Sequence, residues 1–203
     1  MLQKLKPIEV MKRLKEKRIT VFSPLEFKRI FNVSQYAAQW FIKTHTKKNL
    51  FIKLRNGLYS LYDETANYYI IANRIYRPSY ISFETALSFH KMIPETIYPI
   101  ISATSKISRN FNVQGTQFIY KKIKQKAYAG YTPTKYLDQI VFLAEPEKSL
   151  VDYLYFVDLG KCRFSYERLD LKNINELKLN SYAKLFSRPS LEKLVKKIYA
   201  QFR

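Results

Sequence analysis

Cysteine, glycine and acidic residues are scarce in this chain of 203 residues, which contains 1 Cys, 4 Gly and 16 Asp or Glu. The single Cys162 excludes an intrachain disulfide and a thiolate metal cluster, and it suits a reducing cytoplasm. The glycine-rich phosphate loop of nucleotide-dependent enzymes is missing. The chain also lacks any run of about 18 apolar residues and any signal-peptide core, so the sequence predicts no membrane association.

Positive charge, by contrast, is abundant. The 36 Lys and Arg residues give a net charge of +20. Residues 1–62 hold 14 basic and 3 acidic residues, a net of +11, whereas the much longer segment 63–203 holds 22 and 13, a net of +9. Such an excess repels itself in a compact fold and favours a polyanionic partner. The 17 Tyr and 14 Phe indicate a packed structure rather than disorder.

The spacing of apolar residues predicts an α+β chain whose first domain, residues 1–62, is a winged helix-turn-helix. We expect in order a helix at 8–17, a strand at 19–22, a helix at 25–31 capped by Ser23, a helix at 35–45 capped by Ser34, and a hairpin at 50–62. Within the hairpin, Asn56-Gly57 predicts a type I′ turn. A helix pair followed by a hairpin is typical of winged DNA-binding domains, although a hairpin alone is equally typical of an ordinary surface loop.

Residues 63–203 are predicted to form a mixed α/β domain with C-terminal helices, joined to the first domain by a short ordered segment near Asp63-Glu64. We expect helices at 65–76, 83–90, 146–158, 173–186 and 190–202, and strands at 98–104, 117–123 and 139–143. Ser82 and Ser190 are predicted to be helix N-caps.

The outer face of the helix after Ser34 is predicted to bind double-stranded DNA. Glutamine can bond adenine, tyrosine can reach phosphate or a thymine methyl group, and lysine can reach guanine or phosphate. The predicted contact residues are Ser34, Gln35, Tyr36, Gln39, Lys43, Lys47 and Lys48, with Lys53, Arg55 and Asn56 in the wing. The alternative is a solvated polar face. Trp40 is predicted to lie in the core or at its rim rather than to stack on bases.

A second basic segment, YKKIKQKAY at residues 120–128, carries lysines at positions 121, 122, 124 and 126. On a strand, the even-numbered lysines Lys122, Lys124 and Lys126 would form one basic stripe, with Lys121 beside it. We expect these four lysines either to extend the DNA track or to meet an acidic partner. The alternative is that they shield an exposed sheet edge.

Catalytic signals are poor. The only histidines, His45 and His90, lie far apart and are expected to be structural. A nuclease would need carboxylates that converge on Mg²⁺, and the nearest set is Asp138, Glu145, Glu147 and Lys148. Glu147 and Lys148 are adjacent, so on a strand they would point to opposite faces rather than share one site. The sequence therefore predicts no catalytic site, no metal and no cofactor, and the chain is not expected to be an enzyme.

Two parts of the chain resemble a known family. The segment SQYAAQWFIKTHTKKNLFIKLRNGLYSLYD is similar to the winged-helix end of AbiEi-type antitoxins. The segments YISFETALSFHKMIPETIYPIISATSK and FLAEPEKSLVDYLY are similar to the second domain of that family. The resemblance covers most of residues 20–158, and it departs at Asn56-Gly57, where Arg-Gly is common, and at Lys91-Met92, where a glycine often follows the histidine.

The resemblance implies a cytoplasmic antitoxin of a type IV toxin–antitoxin system of the abortive-infection kind. Such a protein represses its own operon through inverted repeats and counteracts a nucleotidyltransferase-like toxin. On this interpretation, the motif residues Ser82, Glu84, Glu145, Pro146, Glu147 and Asp152 hold the second domain together and do not form a catalytic set. The alternative is a plain winged-helix transcriptional repressor whose second domain binds a ligand or forms dimers.

Overall fold

The computed structural model of the chain describes residues 5–62 and 68–203. It divides into two compact units, residues 1–75 and 76–203, called unit 1 and unit 2 below. Both helices and sheets are present, which confirms the predicted α+β class. Within the described residues, no helix combines the length and apolar character needed to cross a membrane.

Unit 1 contains four helices and a three-stranded antiparallel sheet in its described part. The helices are α1 (Pro7–Glu16), α2 (Pro24–Phe31), α3 (Gln35–Lys47) and α4 (Tyr68–Ile75). The strands β1 (Val21–Phe22), β2 (Phe51–Arg55) and β3 (Leu58–Leu61) pair in the order β1-β3-β2. These elements follow the predicted order closely.

Two serine caps fix where α2 and α3 begin, as predicted. Ser23 Oγ accepts a hydrogen bond from the backbone N–H of Glu26, whose carboxylate accepts one from the Ser23 N–H in return. Ser34 Oγ accepts from the N–H of Ala37. Because such caps satisfy N–H groups that a helix leaves unpaired, they set the turn between the two helices. Within that turn, Asn32 adopts the left-handed conformation with φ of 51°.

The hairpin turn differs from the expected type. A type I′ turn requires positive φ at both central residues, but of Asn56 and Gly57 only Gly57 has positive φ, at 72°. The register between β2 and β3 also shifts between Lys53 and Arg55. The prediction of a type I′ turn is therefore wrong, although the hairpin itself is present where expected.

Phenylalanine side chains form the core of unit 1. The Phe27 ring lies 4.5 Å from that of Phe31, 5.7 Å from that of Phe41 and 6.2 Å from that of Phe51, centre to centre. Phe22 of β1 packs edge-on against Phe51 at 5.2 Å. Aromatic side chains bury large areas, so this cluster ties α2, α3 and the sheet together.

Helix α4 belongs to unit 1, so the units divide after Ile75 rather than after residue 62. Arg74 Nη2 lies 2.7 Å from both carboxylate oxygens of Glu26 on α2. Burial alone would raise the pKa of Glu26, but hydrogen bonds from Arg74 and Ser23 outweigh it and hold the pKa below its usual value. The predicted joint at Asp63-Glu64 and the predicted helix start at Thr65 lie outside the described residues.

Unit 2 contains a six-stranded mixed sheet and four helices. The strands are β4 (Ser79–Ile81), β5 (Ile100–Thr104), β6 (Arg109–Val113), β7 (Thr116–Lys122), β8 (Tyr131–Tyr136) and β9 (Gln139–Ala144), in the order β6-β7-β5-β4-β9-β8. The helices are α5 (Phe83–Phe89), α6 (Pro146–Asp158), α7 (Glu176–Lys184) and α8 (Pro189–Phe202). Pairs β4–β9 and β5–β7 are parallel, and the others are antiparallel. Helix α6 packs against α5, α7 and α8.

Of the two predicted caps of unit 2, Ser82 stands where expected but does not cap through its side chain, and Ser190 is not at the cap position. Ser82 stands at the N-cap position of α5, but its hydroxyl makes no cap and instead donates to Asp152 Oδ2 at 2.7 Å. Ser190 lies inside α8, which begins at Pro189, and its hydroxyl donates to Asp158 Oδ2 at 3.0 Å. Each hydroxyl donates a charge-assisted hydrogen bond to a carboxylate, which is stronger than a neutral one and holds the side chain toward a tertiary partner.

Asp152 is the centre of a fully buried polar cluster on α6. Its Oδ2 accepts hydrogen bonds from Tyr80 Oη at 2.9 Å and from Ser82 Oγ, and its Oδ1 pairs with the ammonium group of Lys148 one turn earlier. Both charged side chains have no exposed surface. Burial lowers the pKa of Lys148, although the adjacent Asp152 carboxylate opposes that change. The cluster joins α6 to β4 and to the start of α5.

We expect Lys148→Met to lower the free energy of unfolding by about 3 to 5 kcal/mol, because it strands a buried carboxylate without its counter-charge. The double variant Lys148→Met, Asp152→Asn should recover part of this loss, since the amide oxygen still accepts from Tyr80 and Ser82. Urea denaturation of the full chain measures both changes. As a control, Lys135→Ala removes an exposed ion pair with Asp138 and should change stability by less than about 1 kcal/mol. A double variant as unstable as the single one would contradict this account.

Candidate nucleic-acid interface

Helix α3 has one buried and one exposed face. Ala38, Phe41 and Ile42 are buried in the core of unit 1. The exposed residues are Gln35, Tyr36, Gln39, Trp40, Lys43 and Lys47, which are called the α3 face below. All four residues predicted for base contacts, Gln35, Tyr36, Gln39 and Lys43, therefore lie on one exposed side of one helix.

Two large aromatic side chains stand on the α3 face. Tyr36 is 78% exposed and Trp40 is 58% exposed. Of the two expected positions for Trp40, the core or its rim, the exposure excludes the core. The sequence carried a signal for its position, because Trp40 follows Tyr36 by four residues and precedes Lys43 by three, which places all three on one side of a helix.

The α3 face and its flanks carry positive charge without acidic residues. The segment 34–62 contains no Asp or Glu. Lys43, Lys47, Lys48 and Lys53 are all exposed. Since no carboxylate on the same segment competes for these ammonium groups, they are available to an anionic ligand.

In the β2–β3 hairpin, Lys53 and Arg55 differ in their surroundings. Lys53 is exposed on β2. Arg55 Nε donates to the carbonyl oxygen of Ile75 at 2.7 Å, and its Nη1 donates to that of Asn56 at 3.1 Å. The guanidinium group thus binds the end of α4 and the hairpin turn, a structural role that the sequence did not predict. Asn56 is exposed at the tip.

The remaining predicted residues near α3 serve its structure. The Ser34 hydroxyl is engaged as the helix cap. The His45 ring lies 4.1 Å from the Phe41 ring, centre to centre. Burial, with a smaller effect from Lys48, lowers the pKa of His45. A neutral ring packed on phenylalanine is what a structural histidine should look like.

The lysines of segment 120–128 do not form one stripe. Strand β7 ends at Lys122, and a 3-10 turn, Gln125–Ala127, follows it. Lys121 points inward, where its Nζ lies 3.5 Å from Glu84 Oε2 and 4.7 Å from the centre of the Phe83 ring. Lys124 Nζ donates to the carbonyl oxygen of Phe186 at 2.5 Å. Of the four lysines, Lys122 and Lys126 are exposed and have no comparable side-chain contact among the described residues. The prediction of a single basic stripe is therefore wrong.

The three carboxylates considered for a nuclease lie in separate environments. Glu145 Oε2 accepts from Tyr182 Oη at 2.6 Å and lies 2.5 Å from Lys178 Nζ; these bonds outweigh the effect of burial and lower its pKa. Glu147 is buried and accepts from the N–H of Asn175. Asp138 pairs with Lys135 on the surface. Across residues 5–62 and 68–203, no three His, Cys, Asp or Glu side chains are grouped to hold a metal ion.

Comparison of the chain with models of protein families gave no match, and comparison with curated proteins gave none either. The α3 face and the wing are therefore interpreted from their own geometry.

We expect Arg55→Ala to lower the free energy of unfolding by about 1 kcal/mol, because it removes a hydrogen bond from a charged donor to the end of α4. Lys53→Ala, two residues away on the same strand, should leave stability unchanged within about 0.5 kcal/mol. Thermal unfolding of the full chain distinguishes them. Equal losses for the two variants would show that Arg55 is not a structural residue.

Proposed function

We propose that this chain is a non-enzymatic DNA-binding antitoxin of the AbiEi type, which acts in the cytoplasm. It represses its own operon by binding inverted repeats in the promoter, and it counteracts a nucleotidyltransferase-like toxin. The observation that carries the DNA-binding part is the α3 face, an exposed helical surface of amides, aromatic rings and lysines within an acid-free segment.

The arrangement around α3 supports a winged helix-turn-helix. A capped helix, α2, leads through a short turn into α3, and the β2–β3 hairpin follows directly. In such domains the second helix of the pair enters the major groove and reads base edges with its outward side chains. On this interpretation Gln35 and Gln39 contact bases, while Lys43, Lys47, Lys48 and Lys53 contact phosphates.

The antitoxin part of the proposal rests on the resemblance of unit 2 to the family's second domain. Its two motif segments, SFETAL at 82–87 and AEPEKSLVD at 144–152, lie far apart in sequence. Ser82 of the first donates to Asp152 of the second at 2.7 Å, and α5 packs on α6. The motif residues therefore belong to one packing unit, which supports a structural rather than catalytic role for them.

Binding to promoter DNA should weaken steeply with salt. If each unit 1 neutralises four phosphates with Lys43, Lys47, Lys48 and Lys53, the logarithm of affinity should fall with the logarithm of salt with a slope of about −3.6 for each unit 1 bound. Each lysine changed to alanine should reduce the slope by about 1 and weaken all sequences alike, whereas Gln39→Ala should cost about 1 to 3 kcal/mol at one base position. Gel shifts over a salt series measure this.

Lys135→Ala is the matched control for the salt series, since Asp138 already neutralises this exposed lysine. It should leave both affinity and slope unchanged. An affinity that does not depend on salt would refute the proposed interface. So would an unchanged slope after these four lysines are replaced by alanine.

Promoter binding should depend on unit 1, and protection from the toxin should depend on unit 2. The full chain with Lys43→Glu and Lys47→Glu should no longer shift promoter DNA, because both changes put acid on an exposed DNA-facing surface. It should still relieve growth arrest by the nucleotidyltransferase-like toxin, since the changes leave unit 2 intact. Growth curves of cells expressing toxin and variant measure rescue, and circular dichroism checks folding.

The converse variant reverses the two exposed lysines of the 120–128 segment, Lys122→Glu with Lys126→Glu. It should bind promoter DNA as before, and loss of rescue would locate an acidic partner on that side of unit 2. Failure of the unmodified chain to relieve arrest, together with intact promoter binding, would favour the plain repressor.

A further inference from the structure

We propose that Trp40 reads thymine: its indole ring packs on the 5-methyl groups of thymines in the major groove, so that the chain's operator carries thymines opposite the middle of α3. This inference rests on the proposed DNA-binding function and specifies which bases the α3 face selects. It starts from the exposure of Trp40, which lies outside a core beneath α3 that Phe27, Phe31, Phe41 and Phe51 fill in the described part of unit 1.

The position of Trp40 on α3 suits base contact. Tyr36, Trp40 and Lys43 follow one another at intervals of four and three residues on the exposed side. With a rise of 1.5 Å per residue, they span about 10 Å of helix axis, close to three base-pair steps. Trp40 stands in the middle of this row along the helix axis, and around the axis it lies about 60° from Lys43 and about 100° from Gln39, at one edge of the exposed side.

The chemistry of the major groove leaves one partner for an apolar ring. Guanine, cytosine and adenine present hydrogen-bond donors and acceptors there, whereas thymine adds a methyl group. The face of the indole ring cannot satisfy the polar groups of a base edge, since its one donor, the ring N–H, points outward from the ring's edge. Packing it on a methyl group removes apolar surface from water on both sides.

Charge favours DNA over a protein as the occupant of this surface. The exposed residues that surround Trp40 on α3 include Lys43 and Lys47, and segment 34–62 has no acidic residue to balance them. An interface between two copies of α3 would bring like charges together. A duplex offers phosphates on both sides of the groove and an apolar group at its floor, which matches lysines that flank an aromatic ring.

The fluorescence of the protein reports on this contact directly, because Trp40 is the only tryptophan. The duplex used is the one recovered by selection from a random library with the full chain. On saturation with that duplex, indole emission should change and its quenching by acrylamide should fall to less than half. Emission and quenching that stay as in the free protein would overturn the proposal.

Replacing thymine by deoxyuridine in the same duplex tests the methyl group itself, since the base pairs are kept. The affinity of the unmodified chain should fall about fourfold for each methyl group contacted, the factor expected for losing one buried methyl-sized group. Trp40→Ala should bind the thymine duplex more weakly and be insensitive to deoxyuridine. Ile8→Ala, which removes a 79% exposed apolar residue from α1, is the matched control and should retain full sensitivity.

The outcomes separate this inference from the function on which it rests. If the full chain selects a sequence but binds its thymine and deoxyuridine forms equally, thymine reading by Trp40 is refuted and DNA binding stands. If no sequence is recovered and affinity does not depend on salt, both are refuted. Equal sensitivity to deoxyuridine in Trp40→Ala and in the unmodified chain would assign the methyl contact to another residue and overturn the proposal.

Discussion

A single buried carboxylate, that of Asp152, constrains the architecture of unit 2. Taking a charge out of water is costly unless hydrogen bonds and an opposite charge replace the water, and Asp152 receives all of these from Lys148, Tyr80 and Ser82. Lys148 lies on α6, Tyr80 lies on β4, and Ser82 lies directly before α5. The carboxylate therefore fixes the placement of these elements relative to one another.

Local sequence rules succeeded where the partner of a side chain is local. Ser23 and Ser34 cap helices because the N–H groups they need lie three residues away. Ser82 and Ser190 have equally good cap surroundings in sequence, but carboxylates 70 and 32 residues away in the chain take their hydroxyls. No spacing rule contains that information, so helix positions were predictable in unit 2 while the roles of its polar residues were not.

The difference between local and distant partners also explains why some strands were not predicted and why two cations were assigned the wrong role. Strands β4, β6 and β8 were not predicted, because β4 has three residues, β6 is the polar run RNFNV and β8 contains Pro133. Such strands form only because a neighbouring strand pairs with them, as expected at sheet edges for β6 and β8. Lys121 and Arg55 appear in sequence as free cations, yet tertiary partners bind both of them.

Net charge does not distinguish the two units, so charge alone does not identify α3 as a binding surface. Divided after Ile75, each unit carries +10, with 15 basic and 5 acidic residues in the first and 21 and 11 in the second. A polyanion would thus be attracted to both. What sets α3 apart is the order of its residues: lysines free of acidic neighbours, and two aromatic rings exposed where polar residues would serve solubility better. Other large apolar side chains are more exposed than Trp40, among them Ile8 at 79% and Tyr98 at 87%, so exposure alone does not distinguish α3; the presence of rings and acid-free lysines together on one helical face does.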